Sequence, residues 1–175
     1  MNRANPDLGF IRKIDNDKPC VFISHKKEDQ KIAIELGEFL THYLKVDIYL
    51  DVFDVELQEA VSVENDVKIV DSIVEGIKLS KILLCIISDK TKLSWWVPYE
   101  IGVADNSGLE IASIRTNTID DFPSFLKTKT TINDISGLIE FILRNGRYGY
   151  VFYSEEHKNS ILEGDLGNLE RYFDK

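Results

Sequence analysis

Positive charge is in short supply. The 175-residue chain carries 21 Lys and Arg against 30 Asp and Glu, a formal net charge of −9. A binder of nucleic acid or of an anionic membrane needs a basic footprint, so both partner classes are set aside. Long apolar runs are also missing: stretches such as Ile82 to Ile87 fall far below the ~18 residues of a membrane span. The polar start, Met1 to Lys18, has no apolar segment followed by a small-residue cleavage site. A signal peptide is therefore not expected, and the location is read as cytoplasmic. The two cysteines, Cys20 and Cys85, sit in strand-like apolar runs and form neither a disulfide framework nor a metal spacing. They read as buried, reduced thiols. The three histidines (His25, His42, His157) are scattered, so no metal site is expected. No glycine-rich dinucleotide loop or P-loop is present.

Hydrophobic residues at 43% and charged residues at 29% suit one globular domain. We divide the chain into a lead-in (1–18), a domain (19–146) and a C-terminal extension (147–175). The extension is rich in aromatics, among them Tyr148, Tyr150, Phe152, Tyr153, Tyr172 and Phe173, and is expected to pack on the domain or on a partner. The acidity is concentrated: Val46 to Glu75 holds nine acids and one base, Lys68, for a net −8.

Hydrophobic periodicity gives five strands and four main helices. Cys20–Ile23 is a first, buried strand, followed by the polar cluster Ser24 to Asp29. Ile32, Leu36, Phe39, Leu40, Tyr43 and Leu44 recur at helical spacing. Val46–Leu50 is a second strand. Asp51 to Asp66 reads as an acidic loop with one helical turn, of a length that is usually functional. Val67 to Ile77 is a helix, and Lys81 to Ser88 is apolar enough to be a central parallel strand. A helix from Ser94 to Asn106 follows, with Ser94 as N-cap and Pro98 tolerated near its start. Glu110–Ile114 is a strand, Phe122–Leu126 a weak helical piece, and Thr130–Ile132 a short strand. Ser136 to Arg144 is the last helix, capped by Asn145-Gly146. Such alternation predicts an α/β, flavodoxin-like open parallel sheet of order 2-1-3-4-5 with helices on both faces, plus the C-terminal extension.

In that order the switch point lies between strands 1 and 3, where ligands bind beyond the carboxyl ends. Ser24, His25 and Lys26 end strand 1; Ser88 ends strand 3. Trp96 and Glu100, four apart at the start of the next helix, share a face. An indole beside a carboxylate can tune its pKa and stack on a flat ligand. The alternative is a core tryptophan and a solvated glutamate at the positive end of the helix dipole. Of the tryptophan pair, one reads as core and Trp95 as the more exposed. His25 suits ligand contact or simple capping of the next helix equally well.

The chain resembles the Toll/interleukin receptor (TIR) domains, specifically the small stand-alone TIR proteins of bacteria. Val21-Phe22-Ile23-Ser24-His25 matches the family's first-strand box. Ile69 to Ile77, then Ser80 and Ile82 to Ser88, resembles its helix B and third strand. Ser94-Trp95-Trp96-Val97-Pro98-Tyr99-Glu100 fits its S-x-W-x-x-x-E signature. The likeness covers roughly Cys20 to Arg144. The acidic loop 51–66 and the tail 147–175 depart from it.

This resemblance implies an NAD+ glycohydrolase (NADase) or ADP-ribosyl cyclase, with NAD+ as substrate and no cofactor. Glu100 takes the catalytic glutamate's place and Trp96 that of the aromatic beside it. Ser24, His25, Lys26 and Ser88 line the same mouth. Phe53 matches an aromatic that other members use to stack on substrate. The resemblance further implies self-association through TIR–TIR contacts with 51–66 at the contact. A nucleotide product read by a separate effector in antiphage defence would follow. Two other readings stand beside it: a non-catalytic TIR scaffold, and an enzyme resembling nucleoside deoxyribosyltransferases.

Overall fold

Runs of aliphatic and β-branched residues build the centre of the protein. The computed structural model describes residues 2–5, 10–13, 20–51, 61–63, 65–116, 122–146, 161 and 169–173. The strands are β1 (Asn2–Asn5), β2 (Phe10–Lys13), β3 (Cys20–Ser24), β4 (Asp47–Tyr49), β5 (Ile82–Ile87), β6 (Glu110–Arg115) and β7 (Thr130–Ile132). They form one sheet in the order β2-β1-β4-β3-β5-β6-β7. Neighbours from β4 to β7 are parallel, so β4-β3-β5-β6-β7 is the predicted 2-1-3-4-5 sheet.

The sequence reading missed one feature here. The lead-in is not a plain polar arm: β1 and β2 pair antiparallel, and β1 extends the sheet along β4 with Ala4 opposite Ile48.

Among the described residues four α-helices cover the sheet: α1 (Gln30–His42), α2 (Asp66–Lys78), α3 (Trp96–Asn106) and α4 (Ile135–Asn145). Side chains alternate across each strand. Val21, Ile23, Leu84 and Ile86 pack with α1 and α4, whereas Phe22, Leu83, Cys85 and Ile87 pack with α2 and α3. Each fully buried aliphatic of this kind contributes about 1.5–3 kcal/mol. The layer of α1 and α4 also takes in Ile161, Leu169 and Phe173 from the C-terminal extension. Arg171 Nη2 reaches Glu35 Oε1 of α1 at 3.1 Å.

Local chemistry sets the helix ends. Asn65 accepts from the Lys68 amide at 3.1 Å and Asp134 from the Gly137 amide at 2.6 Å, capping α2 and α4. Gly108 (φ +73) closes α3: the Leu109 amide bonds the Ala104 carbonyl and the Gly108 amide that of Asp105, the paired bonds of a Schellman cap. The cap expected at Asn145-Gly146 differs. Gly146 is extended (φ −74, ψ 156), so a left-handed glycine is needed after α3 and not after α4. Gly76 lets α2 approach Tyr49, since a Cβ there would stand 2.8 Å from its ring. Tyr49 itself stacks on Phe22, with centroids 4.9 Å apart. The weak helical piece near Phe122 is a 3₁₀ turn, Ser124–Thr128.

Candidate functional site

Helix α3 turns Val97, Glu100, Ile101 and Ala104 toward the sheet. These positions, i, i+3, i+4 and i+7, are the apolar stripe of a packed helix, and one of them is a carboxylate. Glu100 is only 7% exposed. Its Oε2 accepts a hydrogen bond from the Ser24 hydroxyl at 2.5 Å. Alternation along β3 sends Cys20, Phe22 and Ser24 to this side of the sheet, so strand 1 supplies the donor where α3 needs one.

Burial pushes the Glu100 carboxyl up to about 8. The Ser24 hydrogen bond opposes the rise and the negative charge of Asp51 adds to it. Behind it, Cys85 stands opposite Ser24 in the β3–β5 register. Its thiol is raised well above the usual range by burial and then by Glu100.

His25 follows Ser24 and is buried. Its Nε2 has no hydrogen-bond partner and lies 3.7 Å from Asp51 Oδ1. The next turn is held differently. Asp29 is buried and accepts from the Ser88 hydroxyl at 2.5 Å, while Lys90 Nζ lies 3.4 Å from its other oxygen. The Thr91 hydroxyl takes the Ser88 amide at 2.9 Å. These bonds tie the turn after β3 to the turn after β5 across the switch point. Lys26 Nζ sits 3.4 Å from Glu28, at the rim.

Ser24 and Glu100 therefore meet, and His25 and Asp51 stand at the same strand ends. Ser88 is turned onto Asp29 instead. Trp96 is 42% exposed, with its ring edge-on to Tyr99 at 5.9 Å. The expectation that one tryptophan is core does not hold: Trp95 is the more exposed at 91%, but both face outward. The sheet-facing Val97, Glu100, Ile101 and Ala104 fix the rotation of the helix, which leaves 95, 96 and 99 on the outer side. Helix α3 starts at Trp96, yet the Ser94 hydroxyl does accept from the Val97 amide at 3.2 Å. Phe53 lies outside the described residues, as does most of the acidic loop.

Sequence reasoning missed Asp29 and Asp51. Both were visible as acids just beyond strands 1 and 2, where charged groups cluster at a switch point. A cavity of about 110 Å³ lies beside Ser88, Val97 and Ile101, roofed by the Ser124–Thr128 turn. A wider hollow of about 410 Å³ lies at the β7 edge, against α4, and takes in none of the residues at the switch point. Among the described residues no group of three or more His, Cys, Asp or Glu could hold a metal ion, and no helix is long and apolar enough to cross a membrane.

Fold and site together define a doubly wound α/β protein with a buried carboxylate at the topological switch point. The family model described as "TIR domain" matches residues 21–137, and the chain belongs to that family. Among solved structures, the TIR domain of the Toll-related receptor TRR-2 from the lower metazoan Hydra magnipapillata is similar. It superposes with a TM-score of 0.51 at 15% identity, covering 69% of this chain and 90% of that one. At that identity the likeness speaks for the fold alone. No curated protein sequence matches the chain.

Proposed function

We propose that this TIR domain cleaves NAD+ at the nicotinamide–ribose bond, giving nicotinamide and a linear, cyclic or conjugated ADP-ribose. The observation that carries the reading is Glu100, a carboxylate sealed into the helix–sheet packing at the switch point and bonded to Ser24 at 2.5 Å. Burial of an acid is costly, and a packing role alone gives no reason for it.

Nicotinamide departs as a neutral molecule from a cationic ring, so no general acid is required. Positive charge grows on the ribose, as in glycoside hydrolysis. A carboxylate near that carbon stabilises the transition state more than the ground state. With its pKa near 8, Glu100 holds its proton in the free protein at neutral pH. A cationic pyridinium ring nearby favours the ionised form, so substrate binding is coupled to loss of that proton.

The half-exposed Trp96 ring offers a stacking face to a flat base. Lys26 offers positive charge to the diphosphate, and the unbonded Nε2 of His25 offers a hydrogen bond to substrate. Ser88 serves the mouth through Asp29, and Phe53 is assigned to stacking from the neighbouring loop. We further assign self-association through TIR–TIR contacts, and a cytoplasmic product signal for a separate effector in antiphage defence.

The test is incubation of wild type and Glu100→Gln with NAD+, dilute and crowded, resolving nicotinamide and every ADP-ribose product. Loss of one preorganised electrostatic group of this kind lowers kcat by about 10²–10³. Full turnover by Glu100→Gln would remove the site. An inert wild type under every condition leaves the recruiting scaffold, and transfer from deoxynucleosides in a parallel assay would favour the other enzyme.

A further inference from the structure

A second acid stands beside the carboxylate at the switch point. The β3–β4 register pairs Phe22 with Tyr49, and their rings stack on the side of the sheet covered by α2 and α3. The next positions of the same alternation are Ser24 and Asp51. Ser24 holds Glu100, so Asp51 lies at the end of the neighbouring strand on that side. Its negative charge acts on Glu100. The two acids differ in access. Glu100 is sealed into the packing, whereas the Asp51 side chain is 41% exposed and within reach of water.

His25 completes the arrangement. Its side chain is only 2% exposed, with Nε2 3.7 Å from Asp51 Oδ1 and no hydrogen-bond partner. A buried nitrogen left unpaired costs about 1–3 kcal/mol, and such a group calls for a reason. A carboxylate and the lone pair of a neutral imidazole both accept hydrogen bonds. One proton arriving between them satisfies both and draws them to the ~2.9 Å of an ordinary bond.

The second half of the proposed reaction releases such a proton. Once nicotinamide has left, a water oxygen bonds to the ribosyl carbon and one O–H bond of that water breaks. Glu100 is engaged at that moment in stabilising the positive sugar. We propose that Asp51 is the general base of this step and His25 its positioning partner, sharing the proton through Nε2. The exposed edge of Asp51 then returns the proton to solvent. The inference rests on the cleavage reading and deepens it: Glu100 serves the breaking of the bond to nicotinamide, and Asp51 the capture of the sugar by water.

The experiment compares two reactions of NAD+ on the same protein. Hydrolysis to linear ADP-ribose needs a base, because the attacking water must lose a proton. Exchange of isotopically labelled nicotinamide into NAD+ needs none, because the ring nitrogen that attacks carries no proton. Asp51→Asn is expected to lower the ratio of hydrolysis to exchange by about a hundredfold or more. His25→Gln keeps a hydrogen-bonding group beside Asp51 but binds no proton, and is expected to lower the ratio by a smaller factor. Glu100→Gln is expected to lower both reactions together.

An Asp51→Asn ratio equal to that of wild type overturns the proposal and leaves Glu100 serving both steps. A merely structural role for Asp51 gives that same result, since it lowers both rates alike. A wild type that exchanges without hydrolysing also overturns the proposal while keeping the cleavage reading. A wild type that does neither removes the cleavage reading, and the proposal with it.

Discussion

Replacing Glu100 by Gln removes a proton-binding site whose affinity the fold has changed, and the change is measurable as stability. In the unfolded chain the carboxyl titrates near 4.5 and in the folded protein near 8. Below 4.5 both states hold the proton and pH has no effect through this group. Between 4.5 and 8 the unfolded state ionises while the native state does not, so stability falls as pH rises. Above 8 both are ionised and the loss is complete. At about 1.4 kcal/mol per tenfold change, the full interval is worth at most about 5 kcal/mol. That is a large part of the ~5–15 kcal/mol that holds a domain folded.

Glutamine keeps the shape and an oxygen for the Ser24 hydroxyl but cannot ionise. The difference between Glu100→Gln and wild type should therefore widen in the variant's favour from pH 5 to pH 8. Other titrating groups cancel in the comparison. Urea unfolding followed by far-UV circular dichroism of the helices reads it. With slopes of about 1–3 kcal/mol per molar urea, the relative midpoint should move by roughly 2 M. A difference that stays flat within about 1 kcal/mol across that range refutes burial as the force acting on this carboxyl.

The same group shapes activity: kcat/KM for NAD+ should rise about tenfold per pH unit below 8 and then level, while kcat levels at lower pH because the bound cation lowers the pKa; a flat kcat/KM from pH 6 to 8 contradicts this. Asp29→Ala leaves the buried Ser88 hydroxyl without its acceptor and should cost about 1–3 kcal/mol in urea unfolding, with Asp29→Asn recovering part. Equal losses in the two variants would show that the hydrogen bond is not what matters. Gly76→Ala forces a methyl to within 2.8 Å of the Tyr49 ring and should cost about 1–3 kcal/mol. An unchanged melting temperature would mean that α2 does not rest on Tyr49 as described.

Much of this fold is legible in the chain because buried parallel strands leave no choice of residue. Val21 to Ile23 and Ile82 to Ile87 are apolar on both faces of the sheet, and the alternating helices then dictate the order. Glu100 is legible for a related reason: it interrupts the stripe Val97, Ile101, Ala104 with a carboxylate. The pairing of β1 with β2 is not legible, because Asn2–Asn5 and Phe10–Lys13 lack the alternation of a half-buried strand; β1 pairs with the edge of β4, and β2 with β1. Nor is the outward turn of Trp96. Hydrophobicity argues for the core, but the stripe that seats Glu100 sets the rotation of α3, and the indole has to follow. Asp29 escaped because an acid inside the charged run Lys26 to Asp29 looks solvated until its partner, 59 residues further on, is brought beside it.

Cys20 and Cys85 are the chain's two thiols, both are inside, and neither is bridged. They occupy the two central strands, with Cys85 directly behind the Ser24–Glu100 bond. A maleimide or similar reagent can reach them only when β3 and β5 part from the helices above. The rate at which the untouched protein consumes such a reagent is therefore a clock for openings of the central layer, and ligands that bind over Glu100 should slow it.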